Sequence, residues 1–255
     1  MPERLPTAYA AATDVGMKRD HNEDSFLVNE GLGLFVVADG MGGHAGGETA
    51  SKLAVQSIER ELQSAKLRPD NPFESTAPLA ETPLADAFRD AVESACAAIH
   101  DTAKLNPQLE GMGTTTVGLL VFDHAALVGH VGDSRAYLFR GADSVQITED
   151  HSLVNEQVLA GLLTKEEAKV SRFKNIITRS VGFEEDVLVD IMGIPLRPGD
   201  VFVLCSDGLA NLVEMDEIGE MVRSHPLAEV SQRLVDLANA RGGDDNITVV
   251  AVKVG

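Results

Sequence analysis

The chain of 255 residues carries 40 Asp plus Glu against 21 Lys plus Arg, a formal net charge of −19. A field of that sign repels nucleic acid and anionic membrane, favours cations, and in bulk serves solubility. Hydrophobic residues make up 44%, enough at this length for a substantial core, and with no Trp and few aromatics that core rests on Val, Leu, Ile and Ala.

Cys96 and Cys205 are the only cysteines, and both stand in apolar segments. Buried thiols in a reducing compartment are expected rather than a disulfide. The first thirteen residues include Glu3 and Pro6 and no long apolar run, a poor signal peptide. No segment approaches the ~20 apolar residues of a membrane span, so a cytoplasmic protein is expected.

Residues 9–15 and 25–29 read as short strands, and 33–38 as a more buried one. Ala50, Leu53, Ala54, Ile58 and Leu62 recur at helical spacing, so a helix follows from about Glu48. A proline-rich loop covers 66–83. Thr82 then caps a second helix with Pro83 in its first turn, and Leu84, Phe88, Val92, Ala95 and Ile99 form its inner face. The period then changes. Strands are expected at 114–122, 125–131 and 136–139, with 146–148 as a fourth, too close together for helical crossovers and therefore antiparallel. Residues 151–169 read as helical and charged, 187–191 and 201–205 as strands, 226–240 as a helix and 246–254 as the last strand. The expected fold class is mixed α+β, with helices on the outer faces of two sheets, as one domain over residues 1–255.

Asp39-Gly40, Ser206-Asp207-Gly208 and Gly242-Gly243-Asp244-Asp245-Asn246 share a design, an acid at a strand edge beside glycine. Magnesium and manganese take oxygen ligands, often few carboxylates plus waters, so three such acids converging at one sheet end could hold two ions. A single Asp-Gly pair is commonly only a turn. Upstream, Arg19-Asp20-His21-Asn22-Glu23-Asp24 joins a cation that can clamp phosphate to acids that can ligate metal directly or through water. Gly132-Asp133-Ser134-Arg135 is a further acidic turn, which could be a plain hairpin or could hold a weaker ion. Gly113-Thr114-Thr115-Thr116 reads as structural. Gly40-Met41-Gly42-Gly43-His44-Ala45 fits a dinucleotide fingerprint, but the second strand it requires, ending in an acid, is replaced by helix near Glu59 and Glu61.

The ordered set Arg19-x-x-Asn22-Glu23-Asp24, Asp39-Gly40-Met41-Gly42-Gly43, Gly113-Thr114-Thr115, Gly132-Asp133-Ser134-Arg135, Ser206-Asp207-Gly208 and Asp244-Asp245-Asn246 closely resembles the metal-dependent type 2C Ser/Thr protein phosphatases in their bacterial single-domain form. The resemblance implies a four-layer αββα sandwich with two Mn²⁺ or Mg²⁺ ions at one end. It implies that Asp39 bridges both ions, that the Gly40 carbonyl contacts one, and that Asp207 and Asp245 hold the other. Glu23 and Asp24 would support the site, Arg19 would bind the substrate phosphate, and Asp133 with Asp207 would form a third metal site. The implied reaction is hydrolysis of phosphoserine and phosphothreonine by a metal-bridging hydroxide, counteracting Ser/Thr kinases; the alternative is an inactive relative acting as a binding module.

Some members of that family carry a leaving-group histidine just after Asp-Gly. His44 stands three residues further on and reads better as a helix-start residue, while His21 and His151 are expected to serve local hydrogen bonding. Residues 151–182 resemble the family's flap. Lys165, Lys169, Arg172, Lys174 and Arg179 form a basic cluster there, either a solvated helix face or a contact for phosphoprotein, for which Arg172 and Lys174 are the candidates. Expected partners are phosphorylated proteins, including kinases and their substrates, with no nucleic acid and no membrane, and the chain is expected to be a monomer.

Overall fold

In the computed structural model residues 5–65 and 78–255 are described, and most of the expected 66–83 loop lies outside them. One sheet runs in the order β1 (Thr7–Asp14), β11 (Ile247–Val254), β10 (Val201–Cys205), β7 (Arg135–Arg140) and β8 (Asp143–Gln146). The other runs β2 (Asp24–Asn29), β3 (Leu34–Met41), β5 (Thr116–Phe122), β6 (Ala125–Val131) and β9 (Asp190–Pro195), with the two-residue β4 (Gly113–Thr114) beside the end of β3. Every pairing is antiparallel.

The layers follow from alternation along the strands. On β3, Leu34, Val36 and Ala38 face a core shared with α1 (His44–Ser64) and α2 (Pro83–Leu105), while Phe35 and Val37 face the other sheet. On β10, Phe202 and Leu204 enter that same inter-sheet core. Val201, Val203 and Cys205 face outward, with Ile218 of α6 (Met215–Ser224) and Val230, Leu234 and Val235 of α7 (Leu227–Ala240). Strands covered on both faces are apolar throughout rather than alternating, and they stand in the sequence as continuous apolar runs. Helix pair, sheet, sheet and helix pair give the αββα sandwich.

α2 begins as its sequence requires: Thr82 accepts a hydrogen bond from the Ala85 amide at 3.3 Å and Pro83 opens the first turn. Its Phe88 lies over two side-chain-free positions on neighbouring strands, since a Cβ on Gly118 or Gly129 would meet the ring at 2.8 or 3.1 Å. Large against small is how this helix approaches the sheet.

Several boundaries differ from expectation. The third strand continues through Asp39 and Gly40 to Met41, because Asp24 and Thr114 pair with them from either side. The strand expected at 187–191 lies at Asp190–Pro195, and the one expected at 146–148 lies at Asp143–Gln146. Residues 114–122 split into two strands at Thr115, and 151–169 into α3 (Leu153–Leu159) and α4 (Lys165–Lys169) around the left-handed Gly161. α5 (Asp207–Ala210) and α6 were not foreseen.

Candidate metal centre

Asp39 lies one residue beyond the buried stretch of β3, and its main chain is clamped by the next strand. Its carbonyl accepts from the Thr115 amide at 2.8 Å and from Thr114 Oγ1 at 2.9 Å, and its amide donates to Thr115 Oγ1 at 3.0 Å. Thr115 Oγ1 also lies 2.7 Å from Ser134 Oγ, which ties the Asp39 strand to the Asp133 turn. Gly40 is required by close approach: a Cβ there would overlap the Gly47 carbonyl, and one on Gly47 would overlap the Glu23 carboxylate. Glu23 is therefore packed against the start of α1 immediately beside Gly40.

Asp24 stands directly across from Asp39 in the β2–β3 register, an unfavourable pairing for two carboxylates without compensation. Ser206 Oγ donates to Asp24 Oδ2 at 2.8 Å, bringing in the turn that carries Asp207. Asn246 is the other clasp. Its Oδ1 accepts from the Glu23 amide at 2.7 Å, and its Nδ2 donates to the carbonyls of Val15 and His21 at 2.9 Å each. That fixes the loop bearing Arg19, whose Nη2 lies 2.6 Å from Asp245 Oδ2.

The acids brought together in this way disturb one another. Burial first, then the charges of Asp24, Asp207, Asp133 and Asp245, push the Asp39 carboxyl well above the usual carboxylate range. Burial raises Asp24 to about 7, against hydrogen bonds from Thr248 and Ser206, with Asp207 and Asp245 adding to the rise. Asp133 is raised to about 7 by burial and by Asp207 and Asp150, and Asp207 to about 6 by burial and Asp245. Oδ1 of Asp24 and Oδ1 of Asp207 are both buried with no hydrogen-bond partner among the described residues. Unpartnered buried carboxylate oxygens are costly, and a hard divalent cation is the partner that such oxygens suit. The donor set, all carboxylate and carbonyl oxygen, fits Mg²⁺ or Mn²⁺ rather than a thiolate-seeking metal.

Among the described residues, the one set of three metal-ligand side chains with atoms all within 4.8 Å of one another lies elsewhere, at His130, His151 and Asp190. Arg179 already fills it: its Nη1 is 3.1 Å from His151 Nε2 and 3.0 Å from Asp190 Oδ1. His151 Nδ1 accepts from the Gly132 amide at 3.0 Å, so Nε2 carries the proton and donates to Asp190 Oδ2 at 3.0 Å. His151 thus braces the turn before Asp133, the local hydrogen-bonding role expected of it.

The sites read from sequence fall in two places. Arg19, Glu23, Asp24, Asp39, Gly40, Asp133, Asp207 and Asp245 surround one end of the sandwich. Arg172 and Lys174 are exposed on the segment after α4, with the Arg172 guanidinium 4.5 Å from the centre of the Phe173 ring. Their basic cluster is smaller than expected, because Lys169 pairs with Glu214 and Arg179 with Asp190. His44 is the first residue of α1, and its side chain lies outside the described residues. Thr115, Ser134, Ser206 and Asn246, which position the acids, were not singled out as functional; adjacency to an acid was the available signal for Ser134, Ser206 and Asn246, whereas Thr115 reaches Asp39 and Ser134 only across the fold.

A family model described as protein phosphatase 2C matches residues 17–248. Protein phosphatase PhpP of Streptococcus pneumoniae is 38% identical over 246 residues, 95% of each chain. Among solved structures, the Mycobacterium tuberculosis serine/threonine phosphatase PstP/Ppp superposes with a TM-score of 0.86 at 35% identity, covering 97% of this chain and 98% of that one. A structure of the catalytic domain of PstP in complex with two manganese ions matches with a TM-score of 0.82 at 36% identity, over 97% and 98% of the two chains.

Proposed function

Because the chain belongs to the protein phosphatase 2C family, we propose that Asp39, Gly40, Asp207 and Asp245, supported by Glu23 and Asp24, hold the divalent ions on which its activity depends. The protein is a metal-dependent serine/threonine phosphatase. The observation that carries the assignment of residues is the group of buried carboxylates that raise one another's pKa, two of them with an unpartnered buried oxygen. Asp39 would serve both ions, the Gly40 carbonyl one of them, and Asp207 with Asp245 the other. Asp133 with Asp207 would take a third. Manganese is bound by the PstP relative, and we propose Mn²⁺ or Mg²⁺ here.

When bound, such ions acidify water and offset the repulsion that an anionic nucleophile meets at a phosphomonoester carrying about −1.5 to −2 charges. The chain's own part is positional. Thr114 and Thr115 hold the Asp39 backbone, so its carboxylate does not reorganise as charge develops. Arg19 is half exposed and uses one nitrogen on Asp245, which leaves the rest of its planar fork to orient the phosphate. Nucleophilic cysteine has no part in this reading: burial raises the Cys205 thiol to about 12 and also raises that of Cys96.

We further propose that the substrates are phosphoproteins, Ser/Thr kinases and their targets among them, that Arg172 and Lys174 touch them, and that the protein works in the cytoplasm as a single-domain monomer. Supporting the location, both cysteines are free and no helix among the described residues is long and apolar enough to cross a membrane. The test is hydrolysis of an aryl phosphate and of a phosphothreonine peptide, with Mn²⁺ and then with chelator. Wild type should turn over both only with metal, and Asp39→Ala should stay folded and turn over neither. Retained turnover by Asp39→Ala at saturating Mn²⁺ would overturn the assignment.

A further inference from the structure

A groove of about 480 Å³ opens beside the acidic cluster, between the end of β3 and the segment that returns from α4 to β9. Its apolar lining comes from Met41, Ile177, Phe183, Val187 and Leu188, and two carboxylates, Glu184 and Asp186, belong to it. Phe183 is 57% exposed and Leu188 66% exposed, so the apolar wall faces solvent. Neither Glu184 nor Asp186 is held in an ion pair among the described residues, whereas the groove's one cation, Arg179, is already paired with Asp190. The groove's free charge is therefore negative.

The groove is also joined rigidly to the strand that carries Asp39. Met41 lies two residues after Asp39 on β3. Val181 and Thr114 exchange backbone hydrogen bonds at 2.8 and 3.0 Å, and Thr114 Oγ1 donates to the Asp39 carbonyl. Met41 and Phe183 converge over Gly113, where a Cβ would meet them at 2.8 and 3.4 Å. Met41 stands about 7 Å along β3 from Asp39, the span of two residues of extended chain.

We propose that the groove receives a lysine or arginine side chain from the phosphoprotein, near the phosphorylated residue. This rests on the phosphatase reading and names a substrate feature for it. Lys and Arg are the side chains that match both surfaces, because their apolar stems pack on apolar walls while their heads seek carboxylates. The chain's net charge of −19 favours the approach of a basic segment.

The test uses the whole chain with Mn²⁺ and three sets of phosphothreonine peptides, identical except for Lys, norleucine or Glu scanned through the flanking positions. An aryl phosphate is the reference. At one or two positions, kcat/KM for Lys should exceed that for norleucine by about three- to fivefold, the range of one partly exposed ion pair, and Glu should be poorest. The double variant Glu184→Gln/Asp186→Asn should erase the Lys advantage and leave aryl phosphate turnover unchanged. Equal turnover of all three sets, norleucine equal to Lys, or a Lys preference that survives in the double variant would each overturn the proposal while the phosphatase reading stands. Loss of metal-dependent aryl phosphate turnover in wild type would instead overturn the phosphatase reading.

Discussion

Replacing Asp207 by Asn tests whether the acidic cluster is an electrostatic burden that bound cations relieve. Burial and Asp245 raise the Asp207 carboxyl from 3.8 to about 6, so at pH 7 it is ionised in a setting that disfavours ionisation. At about 1.36 kcal/mol per pH unit, the rise from 3.8 to about 6 bounds the cost at ~3 kcal/mol, and water at the rim of the cluster screens it to about 1–2 kcal/mol. Asn keeps the acceptor that Asn211 Nδ2 meets at 3.1 Å and removes the charge. In chelator at pH 7, Asp207→Asn should therefore melt roughly 2–8 °C above wild type, at 2–4 °C per kcal/mol for a chain of this size.

The dependence on pH has a definite sign. A carboxyl with a raised folded-state pKa contributes stability that is fully present below about 3.8 and lost as pH rises through about 6. The advantage of Asn should accordingly be small near pH 4 and grow toward pH 7. Mn²⁺ should invert the ranking, because an ion at 100 times its Kd adds about 2.7 kcal/mol to the protein that binds it, and the variant loses a ligand. Thermal unfolding followed by circular dichroism, at both pH values and with and without Mn²⁺, reads all of this. A metal-free variant less stable than wild type at pH 7, with equal Mn²⁺ shifts in the two proteins, would show that Asp207 carries no such electrostatic burden.

Arg19→Ala should lower kcat/KM on phosphopeptide by about 10²–10³-fold, the range for removing one preorganised donor from a developing charge, with Mn²⁺ affinity largely kept; steady-state kinetics and calorimetry separate the two. Arg172→Glu/Lys174→Glu should slow phosphoprotein turnover more than aryl phosphate turnover, and equal losses on both would defeat that role. Phe88→Ala should cost about 3–5 kcal/mol in urea unfolding, because the ring fills the space above Gly118 and Gly129 and neither position carries a side chain that could replace it.

The acids were legible because each stands where an apolar run gives way to glycine, as Asp39 and Asp207 do. A carboxylate in that position is held by a buried strand and still reaches the surface. The sandwich was legible because strands covered on both faces leave long apolar runs. What escaped depends on contacts across the fold. Asn246 clasps a loop 223 or more positions away, and nothing local to it says so. β9 lies later than the expected 187–191 strand and runs through Gly193 and Pro195, because it pairs with β6 and Gly193 leaves the room that Leu79 needs against the strand. α6 was not expected, and its acidic residues and Gly219 make a weak local helix signal, although Glu214 and Glu217 form a reciprocal cap at its start. The partial neutralisation of the basic cluster by Glu214 and Asp190 was likewise invisible without the fold.

Crystals grown with Mn²⁺ and measured at the manganese absorption edge give the most direct answer. Two anomalous peaks touching Asp39 are expected, with the Gly40 carbonyl, Asp207 and Asp245 around them, and a third beside Asp133 and Asp207. An absence of signal there, or manganese only at His130, His151 and Asp190, would contradict the account.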